Sequence, residues 1–235
     1  MIALRRLGAA CAALLAASGV ALAADRLQIG PAAGSDAELA VAYAAYQAGD
    51  FAKARTRYAA LASRQNHLAQ FNLAVMLVNG EGGEPDPRQG VDWLRKAADG
   101  GIARAQFSLG SLYERGELVE RSLTEATAWF RKAAEAGWRD AQVSLATQYF
   151  LGRGAPRDMH EAAHWYELAA DQGDVGAQYI VASLYEKGDG VGLNLERAVY
   201  YYHLAALQGD EVARLKAEEI AAKIRANASR ERESR

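Results

Sequence analysis

Small and apolar residues recur along this chain with a step of 36. Ala69, Ala105, Ala141, Ala177 and Ala213 keep that step, as do Leu73, Leu109, Leu145 and Val181, and then Leu77, Tyr113, Tyr149 and Tyr185. Numbered within one unit, these columns are positions 1, 5 and 9, and steps of four place them on one stripe of a helix. Gly80, Gly116, Gly152 and Gly188 follow at position 12, where a left-handed glycine ends a helix. After a loop, Asp86, Ser122, Asp158 and Asn194 are N-cap residues for a second helix. That helix carries a small residue (Gly90, Ala126, Ala162, Ala198) three positions before an aromatic one (Trp93, Trp129, Trp165, Tyr201). The small residue lets two helices approach, and the aromatic fills the space beside it. Ala98, Ala134, Ala170 and Ala206 come next, and Gly101, Gly137, Gly173 and Gly209 close the unit. A period of this length predicts an all-α array of helix–turn–helix repeats, a solenoid.

The pattern extends both ways. Ala54, Tyr58 and Ala62 precede Gly90, Leu94 and Ala98 by the same step, so a first hairpin spans 35–68 with a short loop at Gly49-Asp50-Phe51. Ser35-Asp36-Ala37-Glu38 reads as the capping box that opens it. Clear copies then span 69–104, 105–140, 141–176 and 177–209. Asp210 caps a final helix over 210–228, with Val212, Leu215, Ile220 and Ile224 as its apolar side and charged residues behind. A repeat array needs such a polar-backed end. Residues 229–235 read as a frayed charged tail.

The first residues are read as a signal, not as fold. Arg5 and Arg6 precede an apolar stretch, Leu7 to Val20, and Ala21-Leu22-Ala23 supplies a signal-peptidase site. The expected cut follows Ala23, giving a signal peptide over 1–23, a leader over 24–34 and a periplasmic or secreted mature chain. Arg5-Arg6 lacks the wider twin-arginine pattern, and Cys11 lies too early to be a lipid-anchor cysteine. The mature chain then has no cysteine and no disulfide. Removing the two arginines takes the formal charge from −2 to about −4, which argues against nucleic acid. No later run is apolar enough to span a bilayer.

Residues Ala69 to Gly209 resemble Sel1-like repeats, relatives of the tetratricopeptide repeat. The resemblance rests on Ala177-Gln178, Leu184-Tyr185-Glu186-Lys187-Gly188-Asp189-Gly190-Val191, Arg197-Ala198, Ala205-Ala206 and Gln208-Gly209. The copy from Ala141 adds Gly152-Arg153-Gly154, Asp158, Glu161-Ala162 and His164-Trp165-Tyr166. Ala48-Gly49-Asp50-Phe51 and Ala54 are closer to a tetratricopeptide unit. Two departures are Glu84-Pro85-Asp86-Pro87, which stiffens a loop, and Leu118, which replaces the second loop glycine. The family implies a right-handed superhelix with a concave face, used as a scaffold or adaptor, often in the bacterial cell envelope. With that register, positions 3, 7, 10 and 11 of the first helices line the groove. They hold Phe71, Phe107, Val143 and Tyr179; Val75, Ser111, Thr147 and Ser183; Val78, Glu114, Phe150 and Glu186; and Asn79, Arg115, Leu151 and Lys187. Apolar and aromatic residues flanked by charges suit a protein or peptide partner, with no cofactor.

One catalytic pattern competes. His160-Glu161-Ala162-Ala163-His164 is a literal H-E-x-x-H, so His160 and His164 are candidate zinc ligands with Glu161 as base and Glu186 as a third ligand. The motif lies wholly inside a repeat copy. Other copies hold Arg88, Thr124 and Glu196 in the slot of His160, and Asp92, Ala128 and Tyr200 in that of His164. These are variable outward positions, so the repeat accounts for the motif. Ser-x-x-Lys, G-x-S-x-G and a mature-chain cysteine are all missing. That weighs against both a penicillin-interacting hydrolase and a cell-wall-binding protein of the cysteine-rich relatives. Gly80-Glu81-Gly82-Gly83 and Gly152-Arg153-Gly154 follow helices, unlike phosphate loops. The expectation is a non-enzymatic, exported binding scaffold.

Overall fold

The fold is that of a computed structural model, which describes residues 36–233 and their side chains from Ala37 to Arg230. The expected signal peptide and leader, and Ser35 of the expected capping box, lie outside the described residues. Among the described residues there are eleven helices and no strand. They are α1 (Asp36–Gln47), α2 (Phe51–Ser63), α3 (His67–Asn79), α4 (Pro87–Asp99), α5 (Ala103–Arg115), α6 (Leu123–Glu135), α7 (Arg139–Leu151), α8 (Met159–Asp171), α9 (Val175–Lys187), α10 (Leu195–Leu207) and α11 (Glu211–Glu233).

The capping chemistry expected for the second helices is present in all four clear copies. Asp86 accepts from the Gln89 amide at 3.0 Å, Ser122 from Glu125 at 3.2 Å, Asp158 from His160 at 2.9 Å and Asn194 from Arg197 at 2.9 Å. Each cap also closes its loop, because its own amide donates back to the position-9 carbonyl of Leu77, Tyr113, Tyr149 or Tyr185. The same residue therefore ends one helix's loop and starts the next helix. Leu118, in the slot of Gly82 and Gly190, keeps their left-handed backbone (φ 61 against 78 and 72), so the loop survives the loss of glycine.

Two compact units divide the chain, one ending at Trp129 and one beginning at Phe130, within α6. In the first, α1 to α5 pack each on the next in chain order. Its core joins Leu39, Tyr58, Leu73 and Met76 in one cluster and Phe71, Val91, Leu94, Leu109 and Trp129 in another, with Trp93 packed against both. In the second, α7 to α11 again pack in order, around Tyr166, Val181, Tyr185, Tyr201, Tyr202 and Ile220. Helices meet at alanine: Ala69, Ala105, Ala141 and Ala213 are fully buried, and so are Ala97, Ala133, Ala169 and Ala205. The small-residue column is tightest at Gly90, where a Cβ would come within 2.6 Å of Val78 and 3.1 Å of the Ala74 carbonyl.

One column has a job that hydrophobic patterning hides. Gln70, Gln106, Gln142 and Gln178, at position 2, are all buried. Each donates its amide to the carbonyl eight residues earlier, at Ala62, Ala98, Ala134 and Ala170, over 3.1, 3.0, 3.3 and 3.1 Å. Those carbonyls belong to the last turn of the preceding helix, where the turn amides of Gln65, Gly101, Gly137 and Gly173 are their backbone donors and the glutamine is a second one. In the second unit Gln172 and Gln208 then donate to the free oxygens of Gln142 and Gln178, at 2.7 and 2.9 Å. In the first unit the His67 ring does this for Gln70 at 3.0 Å and fills the space that Gly100 leaves open.

The last helix differs from expectation. Its packed side is Ala213, Ala217, Ile220 and Ile224, while Val212 and Leu215 are exposed. The buried residues continue the alanine stripe of the first helices, and that stripe fixes the rotation of α11. The helix also runs to Glu233, through the stretch expected to fray. Ion pairs of Arg214 with Glu211 and Glu218, and of Lys223 with Glu219, lie along its wet side.

Replacing Gln178 by leucine should lower unfolding free energy by about 0.5–1.5 kcal/mol, because the Ala170 carbonyl loses one of its donors and the Gln208 amide loses its acceptor. Urea denaturation checks this, and a loss near zero would show that water replaces the glutamine.

Candidate functional site

In the first unit the expected groove residues divide. Phe71 and Val75 are only 2% and 6% exposed, and Val78 is buried with them. They pack among Val91 and Leu94 of α4 and Leu109 and Leu112 of α5. These positions turn toward the second helix of their own hairpin, and Gly90 lets that helix close over them. Phe71 and Val75 are therefore core residues, not contact residues. Ser111 is also buried, Phe107 and Glu114 are half-buried, and Arg115 is exposed and paired with Glu117 at 3.0 Å. Just past the end of α3, Glu81 accepts from the Tyr46 hydroxyl at 3.2 Å and from the Asn79 amide at 3.5 Å. Its other oxygen is buried without a hydrogen-bond partner. Burial pushes the Glu81 carboxyl above its ordinary value. Burial, and then the nearby carboxylate, push the Tyr46 hydroxyl up to about 12.

In the second unit the expected residues stay accessible. Val143, Thr147, Phe150, Tyr179, Ser183 and Glu186 are half-buried, and Leu151 and Lys187 are exposed. Phe150 and Tyr179 rest on the core with one side open. The polar members are held in place. Thr147 donates to the Val143 carbonyl at 2.8 Å, so the Tyr166 hydroxyl is the donor in its 2.8 Å contact with Thr147. The Tyr202 hydroxyl donates to Glu186 at 2.8 Å, the Tyr179 ring meets the Tyr202 ring edge-on at 5.3 Å, and Lys216 reaches Glu186 at 3.4 Å. Burial first, then the Glu186 carboxylate, push the Tyr202 hydroxyl well up.

Tyr166, Tyr202 and Lys216 were missed by sequence reasoning, although a signal existed. Residues 94, 130, 166 and 202 form a column reading Leu, Phe, Tyr, Tyr, while position 7 reads Val, Ser, Thr, Ser. Val75 lies with Leu94 in the core, whereas Thr147 bonds Tyr166. In the last two copies a hydroxyl stands in both columns, and there Tyr166 reaches Thr147.

A second polar set surrounds the position-9 tyrosines. Arg95 donates to Tyr113 at 3.4 Å, and Arg131 donates to Tyr149. The next copy has Glu167 in that slot, and Tyr185 donates to it at 3.1 Å. Arg197 now supplies the cation, bonding Tyr185 and lying 2.8 Å from Glu167, in a slot where earlier copies hold Glu125 and Glu161. The acid and the base have exchanged slots.

His160 and His164 are exposed on α8, and they are not joined by an acidic ligand. The Glu161 carboxylate accepts from the Trp165 indole at 3.1 Å, His164 meets the same indole edge-on at 5.1 Å, and Glu186 is occupied by Tyr202 and Lys216. Among the described residues no three His, Cys, Asp or Glu side chains come together to hold a metal ion. No helix among them is long and apolar enough to cross a membrane.

Hairpins, caps and alanine crossings of this kind define a class of helical repeat protein. The Sel1 repeat matches residues 58–102, 103–138, 139–174 and 175–210, well over half of the chain, which belongs to the Sel1 repeat family. Among solved structures it is similar to c5321, a protective antigen of uropathogenic Escherichia coli displaying an SLR fold, at 33% identity and a TM-score of 0.71. That match takes in 80% of this chain but 41% of c5321. It is also similar to a Sel1 repeat protein of Oxalobacter formigenes, at 32% identity and a TM-score of 0.70, over 76% of this chain and 74% of that one. No curated protein matches it significantly. Sel1 repeats are in general protein-interaction scaffolds, typically without enzymatic activity.

A carboxyl raised on folding is better tolerated protonated, so the stability associated with Glu81 should fall as pH rises from its ordinary value of 4.5. Melting curves over about pH 4 to 7 should show this slope, and Glu81→Gln should flatten it. Glu167→Arg should destabilise, and adding Arg197→Glu should restore roughly 0.5–1 kcal/mol, a modest value because Arg197 is half exposed. Additive losses in a double-mutant cycle would refute the exchange.

Proposed function

We propose that this chain is an exported scaffold of the bacterial cell envelope, periplasmic or secreted. It binds a peptide or protein partner along the first helices of its second unit. The carrying observation is the face of α7 and α9. Phe150, Leu151, Tyr179 and Lys187 offer apolar, aromatic and cationic contacts, while Tyr166 and Tyr202 fix the polar groups between them. Preorganised aromatic anchors beside fixed polar groups are what a recognition surface uses. Export rests on Arg5-Arg6, the apolar stretch to Val20 and Ala21-Leu22-Ala23. It agrees with c5321 being a protective antigen.

Tyr179→Ala and Phe150→Ala should each weaken capture of a partner from envelope extracts by roughly 5- to 30-fold, the usual effect of truncating an aromatic anchor. Proteins captured equally by wild type and both variants would remove this face from the reading. Amino-terminal sequencing of chain recovered by osmotic shock should begin at Ala24. An uncut chain in the cytoplasm would end the export assignment.

A further inference from the structure

The repeat breaks its own pattern at Gln65, His67 and Gly100, and all of them border one cleft of about 500 Å³ in the first unit. Gly101, Gly137, Gly173 and Gly209 supply the left-handed residue that follows each later second helix, at φ 84, 83, 87 and 97. In the first copy that slot holds Gln65, on the same backbone at φ 62. A side chain on left-handed backbone costs stability that glycine does not, and residues held so cluster where a side chain has a task. Gly100 stands in the slot of Gln172 and Gln208. A Cβ there would lie 2.2 Å from the His67 ring, so this histidine and a glutamine at 100 exclude each other. Trp93, Lys96 and Asp99 of α4 form the other wall. The Lys96 ammonium lies over the half-buried Trp93 ring, 4.0 Å from its centre.

The polar groups of this cleft are free to take a ligand. Gln70 donates its amide to the Ala62 carbonyl, so its oxygen faces His67 and Nδ1 is the donor between them. Neutral His67 therefore keeps Nε2 as an acceptor. Gln65, Lys96 and Asp99 are exposed, and among the described residues their side chains make no hydrogen bond or ion pair. Charge selects the ligand. Asp99 and the carbonyl end of α4 repel an anion, while Lys96 and the amide end of α3 repel a cation. An uncharged molecule that both donates and accepts, with an apolar side to lay on an indole, meets no such repulsion. We propose that this cleft binds an uncharged mono- or disaccharide. The C–H face of a sugar ring lies on Trp93 in place of the Lys96 ammonium. Lys96 then donates to a hydroxyl, Asp99 and His67 Nε2 accept from others, and the Gln65 amide does both. The volume is that of a small-molecule site. The cleft is independent of the partner-binding face of α7 and α9, so the two readings fail separately.

Nuclear magnetic resonance of the full chain tests this, with maltose, cellobiose, lactose and diacetylchitobiose as probes. At least one of them should shift the Trp93 indole and His67 ring signals with a Kd on the order of 1 mM, as suits an open polar cleft. Gln65→Gly installs the residue of the later copies. It should leave the melting temperature unchanged or raise it, because the backbone is already left-handed. The same variant should weaken the sugar about 3- to 10-fold, the usual effect of losing a hydrogen-bonding side chain. Asp99→Ala, at an exposed position, should weaken it likewise with circular dichroism unchanged. A variant that binds less and melts no lower separates ligand contact from structure. Unmoved Trp93 and His67 signals with every sugar would overturn the proposal. So would binding that Gln65→Gly and Asp99→Ala both leave intact. Tighter binding of a sugar phosphate, or of zwitterionic phenylalanine, would overturn the assignment to an uncharged sugar.

Discussion

Close approach of helices at alanine governs this molecule. Ala69, Ala105, Ala141 and Ala213 on the first helices, and Ala97, Ala133, Ala169 and Ala205 on the second, have no exposed surface. Side chains this small bring backbones together, so carbonyls at helix ends are shut away from water. Turn amides of Gln65, Gly101, Gly137 and Gly173 reach the carbonyls of Ala62, Ala98, Ala134 and Ala170. The position-2 glutamine gives each of them a second donor and ties the next helix to the last turn of the one before. Alanine packing and the buried amide therefore act together: the close approach brings the amide within reach of that turn.

Much of this was written in the spacing of the chain. Gly80, Gly116, Gly152 and Gly188 take the left-handed backbone that their position required, and Asp86, Ser122, Asp158 and Asn194 cap as expected. Local rules decide these features, so local sequence reveals them. Phe71, Val75, Val212 and Leu215 were misplaced because their direction depends on a neighbour. At position 3, Phe71 is covered by the second helix that Gly90 lets close over it, Phe107, Val143 and Tyr179 stay half-buried, and Leu215 of α11 is open, with no following helix of its own hairpin among the described residues. The glutamine column was visible as a repeat but not as a bond, because nothing in a periodic pattern says which carbonyl an amide will meet.

What distinguishes one copy from another is carried by exchanges between columns rather than by single residues. Val75 and Leu94 make a dry seam, while Thr147 with Tyr166 makes a wet one on the same backbone. Glu167 and Arg197 reverse the charges that accompany Tyr113 and Tyr149 and keep a cation at the tyrosine hydroxyl. A tyrosine at 166 facing valine would leave its hydroxyl without this partner, and Glu167 without Arg197 would leave two carboxylates about one tyrosine; the paired change avoids both costs. The scaffold tolerates changes of surface chemistry because the alanine crossings beneath them do not change.

Three consecutive tyrosines on α10 show how far this separation goes. Successive residues of a helix point about 100° apart, so neighbours in sequence face different surroundings. Tyr200 points outward and is exposed. The Tyr201 hydroxyl lies 3.1 Å from Glu167 and 3.0 Å from Asp171, tying α10 to α8. Tyr202 turns to the other side, where it holds Glu186 on α9. One helix thus serves an outer surface, the packing between second helices and the face of the first helices. Each tyrosine has its own environment, so the outer surface, the packing between second helices and the face of the first helices can be changed one at a time. A single short segment can carry all three because the helix sends adjacent side chains to places that do not touch.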